Sequence, residues 1–434
     1  MTTIDVATTR APREAPGTIW YMGAKTRLLA ELDAAIGPLL KSRRGGRAPV
    51  LVDLFAGTGV VGAHFADRAR IVAADAQRYA ATLARSLLVP APADEAGLER
   101  ILADTARRRK RIARRFAPQI AAERGFLEAE APDLDRYRTF IERDVASHDP
   151  AREAPDGLCA AYYRNIYFGA AQAATLDALR LAIDDAPEPA RTAYLAALLF
   201  AASRATSGTS HFAQPRGLSK PSELAAMLGR RRIDILDLFA ARVRWLARVG
   251  AAAKHAGPNE AHAEPYERAL ARLEPGAVDV VYADPPYTSD NYSRFYHVLE
   301  VLVTYDAPPL ARNGKGELLR GRYPEIERRF QSAFTSPETV EREFRRVTGL
   351  AADRGAAMVW SYARTNGLLL KLWAGDLERF QELLNERYRK VAIHQHGLHH
   401  SGSGDRNHAS VELIAVCTGP KPGKGAGPGT GTKP

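Results

Sequence analysis

The sequence predicts an α/β fold, a mixed but mostly parallel sheet with helices on both faces and a long helical insertion. Two observations predict it. Short apolar runs that lead to an acid, Ala48-Pro-Val-Leu-Val-Asp and Val278-Asp-Val-Val-Tyr-Ala-Asp, alternate with helical stretches, the pattern of strands buried on both faces. Residues 89–262, by contrast, carry Ala, Leu and Arg at helical spacing and little strand signal.

In chain order, residues 1–17 are polar and contain proline, so a loose N-terminus is expected. Residues 18–88 form the first half of the core. After the first strand comes a Gly-rich turn, then a helix to about Arg68 and a strand at Ile71–Ala74 that ends in Asp75. The insertion over 89–262 includes amphipathic helices expected at Gln172–Asp184 and Ala190–Thr206. Residues 263–418 form the second half. Its first strand must stop at Asp284-Pro-Pro-Tyr, because proline cannot donate to a ladder. Ala356–Trp360 and Ser410–Cys417 read as later strands, with Gly397–Asn407 as a hairpin turn between the last two. Residues 419–434 are rich in Gly, Pro and Lys and read as a disordered tail.

Composition narrows the function. Hydrophobic residues at 46% and charged residues at 26% suit a globular chain of 434 residues, long enough for a core plus a second lobe. No apolar run approaches the length of a membrane span, and the N-terminus lacks a signal-peptide core, so a cytoplasmic protein is expected. Two cysteines, Cys159 and Cys417, build neither a disulfide framework nor a zinc knuckle. A formal charge of +11 favours a polyanionic partner.

Two motifs carry chemistry. Asp53-Leu-Phe-Ala-Gly-Thr-Gly follows a strand and opens a helix, where glycines permit a tight turn and close approach to a ligand. Gly57, Gly59 and Gly62 match the spacing of a dinucleotide loop, and the turn suits S-adenosylmethionine equally. Asp75 closes the next strand, where an acid binds ribose hydroxyls. A P-loop is excluded, because no Gly-Lys-Ser/Thr follows. In Asp284-Pro-Pro-Tyr, the carboxylate of Asp284 and the carbonyl of Pro285 offer two acceptors to the two hydrogens of an exocyclic amine. Pro286 stiffens the loop, and Tyr287 offers a face on which a flipped base stacks. A delocalised adenine amine needs such help to become nucleophilic, and direct methyl transfer needs no protein nucleophile.

On these residues the chain resembles the Dam-like, alpha-ordered class of DNA adenine methyltransferases. Three blocks carry the likeness: Trp20-Tyr-Met-Gly-Ala-Lys25, Asp53 to Gly59, and Asp284 to Tyr287 with Thr-Ser-Asp-Asn-Tyr-Ser-Arg-Phe-Tyr-His-Val-Leu-Glu after it. The resemblance implies a Rossmann-like S-adenosylmethionine-dependent core. It implies a cofactor pocket shaped by Tyr21, Lys25, Asp53, Phe55, Gly57, Gly59 and Asp75, and catalysis by Asp284, Pro285, Pro286 and Tyr287. Glu264 takes the place of an acid, more often aspartate, that lies near the cofactor or target amine. The insertion is then the part that reads double-stranded DNA. A cognate restriction endonuclease is a further candidate partner, and a monomer or weak dimer the expected assembly. Asp284 argues against cytosine-amine methylation, where serine usually precedes the prolines, and no Pro-Cys serves cytosine-carbon methylation. Adenine in RNA, a dinucleotide oxidoreductase and a catalytically silent DNA-binding protein stay as alternatives.

Several features are assigned to DNA in this setting. Arg107, Arg108, Arg109, Lys110 and Arg111 form a basic helix suited to phosphates, with Gly229-Arg-Arg-Arg a second such run. Tyr292, His399 and His400 are further candidate contacts. The histidines at 394, 396, 399, 400 and 408 match no zinc spacing, so no metal is expected. Ser361-Tyr362 follows a strand and is a candidate for the target pocket.

Overall fold

The computed structural model describes residues 19, 21, 25–41, 46–90, 93–208, 211–399 and 409–421. The expected loose N-terminus, most of the tail and Trp20 lie outside them. So do residues 400–408, with His400 and His408, and the side chain of His399.

Among the described residues, seven strands form one sheet: β1 (Val50–Asp53), β2 (Arg70–Asp75), β3 (Glu260–Ala263), β4 (Val280–Ala283), β5 (Ala357–Ala363), β6 (Tyr388–His399) and β7 (Ala409–Pro420), in the order β3-β2-β1-β4-β5-β7-β6. The first five are parallel, and β7 runs antiparallel between β5 and β6. The strand expected from Val278 begins two residues later, because Asp279 is diverted. Its carboxylate accepts from Val50 N at 2.8 Å and from Arg47 at 2.7 Å, which pins the start of β1. The hairpin turn expected from Gly397 starts later, since β6 continues to His399.

Strand order reverses at β1, which has β2 on one side and β4 on the other. Such a switch point leaves a crevice beyond the carboxyl ends of the strands. The register pairs Asp53 with Tyr282, so the turn after β1 and the loop after β4 open at the same end of the sheet.

Alternation divides the strand side chains between two faces. Val50, Val52, Val72, Ala74, Val281, Met358 and Trp360 join one buried cluster, and Leu51, Ile71, Ala73, Val280, Tyr282 and Val359 join another. The second face is covered by α1 (Leu29–Leu40), which follows a short 3-10 turn at Lys25–Leu28, and by α2 (Val60–Phe65). Next comes α3 (Arg78–Leu88).

The insertion then supplies α4 (Glu95–Arg115), α5 (Ala117–Glu128), α6 (Leu134–Ala146), α7 (Pro150–Glu153), α8 (Leu158–Tyr163), α9 (Ala170–Ile183), α10 (Ala190–Ala205), α11 (Pro221–Arg231) and α12 (Ile235–Ala252). The two helices expected as amphipathic, α9 and α10, are instead buried nearly all round. The polar groups inside α9 are satisfied. Asp177 accepts from Cys159 N, Ala160 N and the Tyr305 hydroxyl, and Arg180 donates to the Leu302 carbonyl. Four helices complete the first face of the sheet: α13 (Tyr266–Ala271), then, after α14 (Tyr292–Thr304), α15 (Val340–Asp353), α16 (Leu368–Leu372) and α17 (Leu377–Asn385). The insertion is not an isolated lobe, because one apolar cluster runs from Tyr79 and Leu83 of α3 through α9, α10 and α12 to Val298 and Leu302 of α14.

Candidate active site

The turn after β1 is shaped by its glycines. Gly57 and Gly59 take φ of 52° and 77°, the left-handed region that costs other residues most. A Cβ on Gly59 would stand 2.5 Å from the Ala84 Cα on α3, and one on Gly57 would stand 3.0 Å from the Tyr21 ring. Asp75 ties the turn to the end of β2, accepting from Gly57 N at 3.0 Å and from Gln77 N at 2.9 Å. Burial lifts the Asp75 carboxyl to about 6. Asp53, wholly buried at the end of β1, is pushed up to about 8 by burial and then by the charges of Asp284 and Asp75.

Asp284 follows β4 directly. Its Oδ1 meets the Lys25 ammonium at 2.8 Å, and the same ammonium lies 3.1 Å from Glu412 Oε1 on β7. Ser361 on β5 donates to Glu412 at 2.7 Å. Lys25 is 5% exposed and lies 5.6 Å from the centre of the Tyr287 ring. Burial raises Asp284 above the usual carboxylate range, Lys25 opposes that shift, and Glu412 adds to it. Burial alone would lower Lys25, but Asp284 and Glu412 outweigh it and hold the ammonium charged.

One cavity of about 230 Å³ joins the two motifs. Tyr21, Lys25, Asp53, Phe55, Gly57 and Asp75 line it on one side, and Asp284, Pro285, Pro286, Tyr287 and Tyr292 on the other. Gly59 stands just behind, capping α2. The third wall was not foreseen from the sequence. It comes from Tyr266 and Phe330–Thr335, with Glu343 of α15 beneath. Phe334 packs edge-on to Phe55 at 5.4 Å, and the Tyr266 hydroxyl donates to Glu343. Glu412 was also missed, although a lone acid in the apolar run Val-Glu-Leu-Ile-Ala-Val was a signal for it.

Other expected residues fall elsewhere. Glu264 does not line the cavity. Its carboxylate turns to Arg272 at 2.9 Å, and the next residues, Pro265 to Glu267, face the cavity instead. Ser361 and Tyr362 are fully buried and act from behind, Ser361 on Glu412 and Tyr362 through its hydroxyl, which accepts from Leu369 N. None of the basic residues 107–111 lines the cavity. Arg107 and Arg108 are held by Asp104, and Arg108 also by Asp185, while Arg109, Lys110 and Arg111 are exposed. Among the described residues, no three side chains form a metal-ligand group, and no helix is long and apolar enough to cross a membrane.

The chain matches, over residues 21–318, the family model of the D12 class N6 adenine-specific DNA methyltransferases. No curated protein matches it.

Proposed function

The chain belongs to the D12 class of N6 adenine-specific DNA methyltransferases, and from that premise we propose a specific reaction. The protein moves a methyl group from S-adenosylmethionine to the exocyclic amine of an adenine flipped out of double-stranded DNA at a defined sequence. The observation that carries this reading is the shared cavity, which brings the Asp284 loop and the Gly57 turn to one end of the sheet.

The residues present fit the cofactor. Gly57 takes a left-handed φ where a Cβ would meet the Tyr21 ring, Asp75 stands at the end of β2, and the carboxyls of Asp53 and Asp75, raised by burial, gain a counter-charge when a cationic ligand enters beside them. When bound, S-adenosylmethionine supplies an electrophilic methyl group. The protein's part is to position and to hold charge. Lys25 fixes Asp284 through Oδ1, which directs the other carboxylate oxygen to one hydrogen of the target amine. The Pro285 carbonyl accepts the second hydrogen and draws the nitrogen lone pair out of the ring. Tyr287 and Tyr292 supply aromatic faces for the flipped base. The amine loses a proton as it gains the methyl, and Asp284, lifted by burial, is the group at hand to receive it.

The test is product analysis. The protein, labelled cofactor and duplex DNA are expected to yield N6-methyladenine, with single-stranded DNA and RNA as poorer substrates. Asp284→Ala is expected to abolish turnover while leaving cofactor affinity within a few-fold. A variant retaining near-normal turnover, or a product on cytosine, would overturn the reading.

A further inference from the structure

Arg322, on the excursion 310–322, differs from the buried arginines Arg164, Arg180 and Arg231 of the helical insertion. Arg164 meets Asp144 and Glu153 at 3.0 Å each, Arg180 meets Asp184 at 2.6 Å, and Arg231 meets Glu123 at 2.6 Å. Arg322, only 4% exposed, donates solely to main-chain carbonyls, those of Leu318 at 3.3 Å, Leu319 at 3.2 Å and Val145 at 3.0 Å. Its Nε is buried without a partner, and no ion pair with a carboxylate is found for it among the described residues. Its backbone is also strained, with φ of 53°. A buried guanidinium without a counter-ion is costly, and proteins otherwise pair or hydrate such a charge.

The surroundings do not supply the missing charge. Arg322 lines a cavity of about 650 Å³ between α6, the segment 215–218 and the excursion 310–322. Arg138, which is ion-paired with Asp135, and Arg216 stand half-buried in its wall, and Arg312 and Arg320 are exposed on it. Glu142 and Glu317 line it too, but both are exposed and neither is ion-paired with any of these arginines. His148, buried in the same wall, keeps Nδ1 without a partner and turns Nε2 to Asp144 at 3.2 Å. Burial, with Arg312 nearby, lowers the pKa of Arg322. The cavity is therefore a positive well with graded access.

The excursion that carries Arg322 is anchored to the reaction centre. Tyr323 packs on His297 of α14 at 5.1 Å, and the Gly321 carbonyl accepts from Tyr167, while the first residue of α14, Tyr292, lines the reaction cavity. We propose that this arginine well seats one backbone phosphate of the DNA substrate and so fixes the duplex relative to the catalytic loop. This rests on the reading that DNA is the substrate. Guanidinium groups match phosphate oxygens in geometry as well as charge.

The test uses the full chain and unmodified duplex DNA, with affinity measured across a salt series. Arg312→Ala/Arg320→Ala changes only exposed side chains, and Arg322→Gln removes the buried charge. Both variants are expected to flatten the slope of log affinity against log salt by about one, as for one lost phosphate contact. They should weaken binding equally for DNA with and without the target sequence, and leave cofactor affinity unchanged. A double variant with the wild-type slope overturns the proposal. Inorganic phosphate at fixed ionic strength separates the sources. Protection of the wild type against thermal unfolding, lost in the variants together with the DNA slope, supports a shared phosphate site. Protection with an unchanged DNA slope overturns the DNA assignment. Turnover is read in parallel. A protein that makes no N6-methyladenine but loses the slope refutes the catalytic reading alone, and one that methylates with an unaltered slope refutes this inference alone.

Discussion

Glu412 shows how one misplaced-looking charge organises the site. Its carboxylate shares the Lys25 ammonium with Asp284, so Lys25 cannot neutralise Asp284 outright. The groups acting on Asp284 are Lys25, which favours its anion, and Glu412, which disfavours it, with burial the largest influence; Asp53, Tyr282, Tyr287 and Tyr292 stand around it. In the proposed mechanism only the anion accepts the amine hydrogen, so turnover should rise with pH through the raised pKa of Asp284. Glu412→Gln removes the disfavouring charge and leaves Lys25 to Asp284. The acid limb of the kcat/KM profile is expected to move to lower pH, with cofactor affinity little changed, and Glu412→Asp should restore the original limb. An unmoved limb in Glu412→Gln would show that Glu412 serves packing only. A second expectation concerns the cofactor. Asp53 and Asp75 are lifted to about 8 and about 6, so a cationic ligand that enters beside them must displace protons. Affinity for S-adenosylmethionine should therefore increase as pH rises through that interval, with proton release visible as a buffer-dependent enthalpy. Asp53→Asn should remove the upper part of the dependence. For folding alone the sign is opposite. Carboxyls with raised folded-state values favour the folded protein at low pH and lose that contribution as pH climbs through them.

At the scale of elements, the turn between β1 and α2 is the least forgiving part of the chain. Gly59→Ala meets both a left-handed φ and a Cβ 2.5 Å from backbone on α3. Gly276→Ala, at φ of 81° with no atom within 4 Å of the new carbon, isolates the backbone cost. Strain of this kind costs about 1–3 kcal/mol. Gly59→Ala should therefore lower the unfolding midpoint well beyond Gly276→Ala and weaken cofactor binding; equal shifts would mean that α3 yields freely. The sequence was most readable where burial is symmetrical. β1, β2 and β4 announce themselves as apolar runs stopped by Asp53, Asp75 and Asp284, and those stops are the site itself. The edge strands were harder. Glu-Ala-His-Ala of β3 has one buried residue, and much of β6 is exposed, so neither shows a clear apolar period. The wall at Phe330–Thr335 was illegible for a different reason. Its only local feature is a 3-10 turn at Ala333–Thr335, and its role comes from contact with Phe55 and Trp360 far away in sequence. Glu264 was misleading because an acid beside β3 satisfies the motif, while Arg272, one helix later, claims its carboxylate.

At the scale of the whole molecule, the question is whether the insertion is a module or part of the fold. Residues 89–262 have their own helices and could be imagined as a separate reader of DNA. The packing says otherwise. Tyr79 and Leu83 of α3, which follows β2, share a single buried cluster with Leu176, Leu179, Leu198, Phe239 and Val243 of the insertion and with Val298 and Leu299 of α14. Polar ties cross the same boundary. Arg180 of α9 donates to Leu302 and Val303 at the end of α14, and Tyr305 just beyond donates to Asp177. Removing the insertion would strip the outer face of α3 and α14, and each large apolar side chain so exposed costs about 1.5–3 kcal/mol. The insertion and the sheet are therefore expected to unfold together. Calorimetry of the full chain should give one transition whose calorimetric and van't Hoff enthalpies agree. Leu198→Ala, inside the insertion, should lower the midpoint recorded by a probe on the sheet as much as by a probe on the insertion. Two separated transitions, or a midpoint that moves for one probe alone, would mean that the helices form an independent unit and that the orientation of bound DNA is not set by the shared core.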